Sequence, residues 1–328
     1  MKKLLFFAAA VLALTACSNE EENTNKDWNE EIRLCTQNLM MTRAGSDIQS
    51  TQFAANEQID VFVYDVADQM TYTRPAVYTA DGQGGLTTSP AQLWPSGTGS
   101  AINLYAFYPS GAVKEENFIG EDEEPEFFFT VALDQSTEAG YKASDLMFGG
   151  SINPNGGYQE IARTNSTVPL TFYHMLSKIN LNVTLGEALS EQVNSISSIS
   201  AKIQNVSPEA QFFGIISSSP LQPSMEWGGD PIDINVGDLT REDGIYSGSA
   251  IIPPQSFEPG HTLFSITITY NDGSSRTLTY TLPSDSNVML FESHYVYNFN
   301  ITANVWGLSL STTIEPWSQA QDYSGETD

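Results

Sequence analysis

The chain has 328 residues, with 40 acidic side chains against 13 basic ones and a net charge of −27. A surface of that sign excludes nucleic acid as a partner, because phosphate binding needs a cationic face, and a bare anionic membrane repels it. Two cysteines and three histidines leave too little material for a disulfide framework or a dedicated metal centre.

At the N-terminus, Lys2 and Lys3 precede an apolar run from Leu4 to Leu14. The run is too short to span a bilayer, which takes about 20 apolar residues, and residues 1–16 have the layout of a secretory signal peptide. Leu14-Thr15-Ala16-Cys17 resembles a bacterial lipobox, in which Cys17 is acylated and becomes the mature N-terminus. Each buried methylene contributes about 0.8 kcal/mol, so several acyl chains hold a protein at a membrane almost irreversibly. Residues 17–30 form a polar, acidic tether with no apolar period. Glu20-Glu21-Glu22 behind the lipobox resembles a lipoprotein surface-export signal, so the expected location is the outer face of the cell outer membrane. With Cys17 given to lipid, Cys35 has no disulfide partner, and its place in an alternating strand suits a buried, inert thiol.

The rest reads as strands and turns. Residues 31–42 form a first strand with Ile32, Leu34, Thr36 and Met40 on one face. Ile59 to Tyr64 is rich in β-branched and aromatic residues, and Asp81-Gly82 with Gly84-Gly85 marks a hairpin between Tyr78 and Leu86. Ile102 to Tyr108 is stopped by Pro109 and Gly111; Phe127 to Leu133 follows the acidic loop Glu121 to Glu126. Further on, Ile179, Leu181, Val183 and Leu185 alternate with Asn180, Asn182 and Thr184. Phe264 to Tyr270 and Leu278 to Leu282 flank the turn Asn271-Asp272-Gly273-Ser274. Tyr295 to Ile301 alternates again. The last strand, residues 304–317, places Trp306, Leu308, Leu310, Thr312 and Ile314 on one face. Only Glu187 to Ser195 hints at a helix. Short strands without helical crossovers predict an all-β fold of antiparallel β-sandwiches. The polar segment Asn153 to Thr167 places the break near residue 165, giving domains of 31–165 and 166–328.

No active-site motif is specific: the many acidic residues could supply a carboxylate pair for glycoside hydrolysis, but their excess makes such a pair uninformative. His174, His261 and His294 lie far apart, and Asp230, Asp233, Asn235 and Asp238 lack the spacing of a calcium loop. There is no Gly-X-Ser-X-Gly and no phosphate-cradling loop. The expectation is a non-enzyme without cofactor. Trp94, Trp227 and Trp317 offer aromatic platforms for sugars, though core roles suit them as well.

Several stretches together resemble the fimbrillin family of Bacteroidales type V pili. They are Thr42-Arg43-Ala44, Leu93-Trp94-Pro95, Ile102 to Pro109, Asp145-Leu146-Met147-Phe148-Gly149, Val168 to Ile179, Ile251-Ile252-Pro253-Pro254-Gln255 and Glu315-Pro316-Trp317. The resemblance implies two transthyretin-like β-sandwich domains in tandem, export as a lipoprotein, and polymerisation with other fimbrial subunits in support of adhesion. It further implies an Arg-specific protease that cuts behind the first strand, here between Arg43 and Ala44. Removal of that strand opens a groove for a strand from a neighbouring subunit, with the C-terminal strand and its teeth Trp306, Leu308, Leu310 and Ile314 as donor. Two alternatives stay open. Arg43-Ala44 is equally the polar exit of a permanently docked strand, and the last strand is equally a core strand of its own domain. A surface lipoprotein that binds a host or bacterial glycan or protein without polymerising is the competing reading.

Overall fold

A computed structural model describes residues 29–39, 53–67, 70–71, 75–96, 101–114, 127–151, 160–213 and 224–317. The strands of the first half are β1 (Leu34–Leu39), β2 (Gln58–Asp65), β3 (Met70–Thr71), β4 (Ala76–Ala80), β5 (Gly85–Thr87), β6 (Ala101–Tyr108), β7 (Phe127–Thr130), β8 (Met147–Gly150), β9 (Ile161–Ala162) and β10 (Val168–His174). Those of the second half are β11 (Ser177–Leu185), β12 (Ile196–Val206), β13 (Glu209–Phe213), β14 (Ser224–Gly228), β15 (Ile232–Asp238), β16 (Thr240–Glu242), β17 (Ile245–Ile252), β18 (Gln255–Phe257), β19 (Thr262–Tyr270), β20 (Ser275–Thr281), β21 (Met289–Phe291), β22 (Tyr295–Asn304) and β23 (Gly307–Pro316). Two short helices, α1 (Glu138–Ser144) and α2 (Glu187–Ser190), complete the described elements with a 3-10 turn at Val193–Ser195. Helix α1 had no sequence signal beyond Thr137, whose hydroxyl accepts the Gly140 amide as an N-cap.

The hairpins form where the turn residues stand. β4 and β5 pair across the Asp81–Gly84 turn, with Asp81 Oδ1 accepting the amides of Gln83 and Gly85. β19 and β20 pair across Asn271–Ser274, where Gly273 takes the left-handed φ of 83°.

The first sheet is nine-stranded and closes on itself, because β2 pairs with β6 as well as with β4. The ring runs β2-β4-β5-β1-β10-β8-β6 and back to β2. Val61 and Val63 of β2 and Leu104 and Ala106 of β6 fill its interior, while Phe62, Tyr105 and Phe107 point the other way into the core shared with the second half. Both faces of these strands are therefore dry, which is why their sequences read as near-continuous apolar runs rather than clean alternation. At one point the ring has no space for a side chain: a Cβ on Gly149 would lie 2.5 Å from the Phe172 ring on β10.

The second half places the sheet β16-β17-β11-β22-β23 against the sheet β15-β12-β19-β20. Phe264 of β19 meets Phe299 of β22 edge-on between them, with centroids 4.7 Å apart. Ile179, Leu181 and Val183, with Phe299 and Ile301, form the dry face of the first of these sheets. Its wet face is set in rows by the register. One row runs Ser249–Asn180–Asn298–Thr313, the next Ser247–Asn182–Asn300–Ser311, and a third Thr184–Thr302–Ser309. Within the rows the side chains bond to one another: Asn180 donates to Asn298 at 2.8 Å, Ser249 to Asn180 at 2.9 Å, and Ser247 to Asn182 at 3.1 Å.

Three expectations are corrected. The sheets are mixed rather than antiparallel, since β1 runs parallel to β10 and β11 parallel to β22. β10, beyond the expected break near 165, belongs to the first ring through β1 and β8, so the chain leaves that ring at Met175-Leu176. Conversely β7 pairs with β13 of the second half, so the two halves interlock. Short-range patterning marks a strand where it alternates but carries no information on which distant strand lies beside it.

Candidate strand-exchange site

The first strand is an internal stave of the ring. β1 pairs antiparallel with β5 and parallel with β10. Its N-terminal approach is pinned as well: the Ile32 amide donates to the Gln92 carbonyl at 2.8 Å and the Trp94 amide to the Glu30 carbonyl at 2.9 Å. On the other edge the Val168 amide donates to the Arg33 carbonyl at 2.8 Å. Ile32 and Leu34 are buried against Tyr78, Leu86, Trp94 and Val168, as their alternation predicts, and Thr36 is buried beside them. Tyr78 lies under the strand, its hydroxyl donating to Gln92 Oε1 at 3.1 Å; burial, aided by the Glu31 carboxylate, holds its pKa well above the usual tyrosine range. A cleft of about 680 Å³ runs along the same seam between Arg33 and Gln83. Cys35 is buried and disulfide-bonded, not the unpaired thiol expected from the cysteine count.

The C-terminal strand occupies the edge of its own sheet. β23 pairs with β22 along its whole length, from Asn304↔Gly307 to Tyr295↔Pro316. Its four expected teeth behave differently from one another. Leu308 and Leu310 pack half-buried on the core, Ile314 is 58% exposed, and Trp306 sits in the turn before the strand at 93% exposure. The strand therefore presents two seated apolar side chains, because β20 on the facing sheet covers only part of it.

Met40, Arg43, Ala44 and Cys17 lie outside the described residues. Of the tryptophans proposed for sugars, Trp94 and Trp317 are buried and only Trp227 is open, at 48% exposure. Among the described residues no group of three or more His, Cys, Asp or Glu side chains is placed to hold a metal ion, and no helix is long and apolar enough to cross a membrane.

A cluster that the sequence reading left in pieces joins the two halves. The Trp317 indole, directly after β23, stacks on the His174 ring at 3.9 Å and 3°. His174 Nδ1 lies 2.7 Å from Asp145 Oδ1, and the Trp317 amide donates to the His294 carbonyl. All three side chains are buried. Asp145, His174 and Trp317 each fall in a different one of the stretches that carry the family resemblance, which was the available signal that they meet. A fourth such stretch is held by Gln135, whose side-chain amide exchanges two hydrogen bonds of 2.8 Å with the Ile251 backbone. The end of β10, the strand beside β1, is thus in contact with the end of β23.

Comparison with known proteins agrees with this architecture. In the solved structures, a proposed cell adhesion protein from Bacteroides uniformis ATCC 8492 superposes with a TM-score of 0.62 at 16% identity, covering 89% of this chain and 100% of that one. A proposed cell adhesion protein from Bacteroides ovatus ATCC 8483 gives 0.58 at 16% identity, over 89% and 99% of the two chains. The tip fimbrial protein Mfa3 of Porphyromonas gingivalis, truncated at its C-terminus, gives 0.45 at 10% identity over 88% and 100%. At these identities the likeness is one of fold. No curated protein sequence matches at a significant level. The family described as fimbrillin-like matches residues 42–317. With that span covering nearly all of the strands described above, the chain belongs to the fimbrillin-like family.

Proposed function

We propose that this chain is a structural subunit of a surface fimbria that is exported as a lipoprotein through Cys17, assembles by β-strand exchange and supports adhesion. In this reading its two interlocked halves are tandem transthyretin-like sandwiches. The observation that carries it is the seat of β1: an internal stave, bonded on both edges, with Ile32 and Leu34 turned into the ring. Arg43-Ala44 follows it in the chain within a short, small-residue stretch suited to a protease. Loss of β1 uncovers the edges of β5 and β10 and an apolar slot. A strand from another subunit restores the main-chain bonds and sets its alternate side chains in that slot. Each large apolar side chain so buried contributes about 1.5–3 kcal/mol.

β23 is the donor favoured by its edge position and its incompletely covered side chains. Its anchorage through Trp317 means that donation requires breaking the stack on His174.

The test is treatment of the full chain with an Arg-specific protease, followed by N-terminal sequencing and unheated SDS electrophoresis. The expected result is a new terminus at Ala44 and a ladder of SDS-resistant oligomers. An intact terminus without a ladder would refute the polymerising role. Mass analysis of the uncut N-terminal peptide decides between the two fates of Cys17: an acylated sulfur is expected, and a disulfide to Cys35 in its place refutes the lipid anchor.

A further inference from the structure

We propose that the wet face of the β17-β11-β22-β23 sheet is a binding surface for an uncharged polysaccharide. In a chain of net charge −27, the rows through Asn180, Asn182 and Thr184 carry amides and hydroxyls and no ionised group. A solvated sheet face usually mixes Lys, Glu and Thr; in these three rows only neutral donors and acceptors stand in register, on strands about 4.8 Å apart with rows about 6.7 Å apart, and the charged groups of the same face lie outside them: Glu242 on β16, Glu315 on β23 and the buried Lys178. The cross-row bonds hold Asn180, Asn182 and their partners in fixed rotamers, so little ordering entropy remains to be lost when a ligand lies down. Each amide keeps a donor beyond those bonds, because Asn298 and Asn300 use only their carbonyl oxygens within the rows.

The charge pattern selects the partner. A phosphate- or uronate-bearing polymer would find no exposed cation here, since Lys178 is buried, and would meet the repulsion of the whole chain. A protein partner is disfavoured because interface cores are built on clusters of aromatic, Met and Arg side chains, and the three rows carry none. A neutral glycan offers what the face can use: many hydroxyls, no ionic desolvation cost, and C–H faces for an aromatic ring. Trp306, 93% exposed in the turn joining β22 to β23, stands at the end of the same two strands and supplies that ring. The rows on β17, β11 and β22 do not depend on β23, so the surface survives whether or not the last strand is donated.

The test is native affinity electrophoresis of the full chain in gels containing neutral α- and β-linked glucans, mannans, galactans or xylans, with polygalacturonate as the anionic control. At least one neutral glycan is expected to retard the chain, with no loss in added salt. Ser247→Asp and Asn300→Asp should each weaken that retardation about tenfold, and Trp306→Ala should weaken it too. Thr279→Asp, on the exposed face of the other sheet, should leave it unchanged, and thermal melts confirm that each variant is folded. No retardation by any neutral glycan, preference for polygalacturonate, or retardation untouched in folded Ser247→Asp and Asn300→Asp overturns the proposal.

Discussion

Trp317 is the residue on which the C-terminus turns. It is buried, stacked on His174, and follows β23, an edge strand whose inner face is half covered. Truncation to alanine removes a large ring from a site that cannot collapse around the loss, since His174 is fixed by Asp145. Trp317→Ala is expected to cost about 3–5 kcal/mol in denaturant unfolding. It should also raise amide exchange in β23 well above that in β22, because the main-chain pairing loses its terminal clamp. Uniform exchange across both strands would show that the stack is incidental. This cluster was not legible in the sequence as chemistry. His174 is a packed strand residue, but its partners come from segments far away, and no local period reports a contact at that range. The same limit hid Trp94, which is buried in the cluster that holds Ile32, Leu34 and Tyr78.

At the level of elements, what the sequence shows well is what neighbours decide. The Asp81–Gly85 and Asn271–Ser274 turns set their hairpins through side-chain bonds within a few residues. The alternation of β11 and β22 gives a dry face and a wet one whatever lies alongside. What it shows poorly is who lies alongside: the parallel pairs β1–β10 and β11–β22 are closed over long stretches of chain and are chosen by packing. The two strands singled out for exchange differ in the same way. Leu34 on β1 is 3% exposed and Ile314 on β23 is 58% exposed, although both stand on apolar alternations. Leu34→Ala is therefore expected to destabilise the uncut chain by about 2–5 kcal/mol, and Ile314→Ala to stay within about 0.5 kcal/mol, both read from urea midpoints. Equal effects would mean that the first strand is no more deeply seated than the last.

For the whole molecule, the buried tyrosines make a linkage that reaches both halves. Burial, reinforced by Glu31 at Tyr78 and Glu57 at Tyr108, raises these phenols well above their ordinary value, and burial pushes Tyr297 up to about 12. In the unfolded chain the same groups ionise near 10.0. Above that pH the unfolded state binds fewer protons than the folded one, so stability is fully present below pH 10 and is lost as pH rises through the folded values. Unfolding midpoints should be flat with respect to these groups up to that point and then drop, with phenolate absorbance appearing together with unfolding; phenolate formed in a chain that stays folded would contradict the burial. The closed ring carries the broadest consequence. A barrel has no margins, and taking out one stave creates two at once, flanking a dry interior now open to water. A subunit so trimmed is a short-lived intermediate, prone to stick to whatever extended chain it meets first, so cutting and docking must be coupled closely in time and place. In the proposed function, a lipid tether at Cys17 would serve that coupling by keeping the chain at the site of assembly until the proposed cut is made.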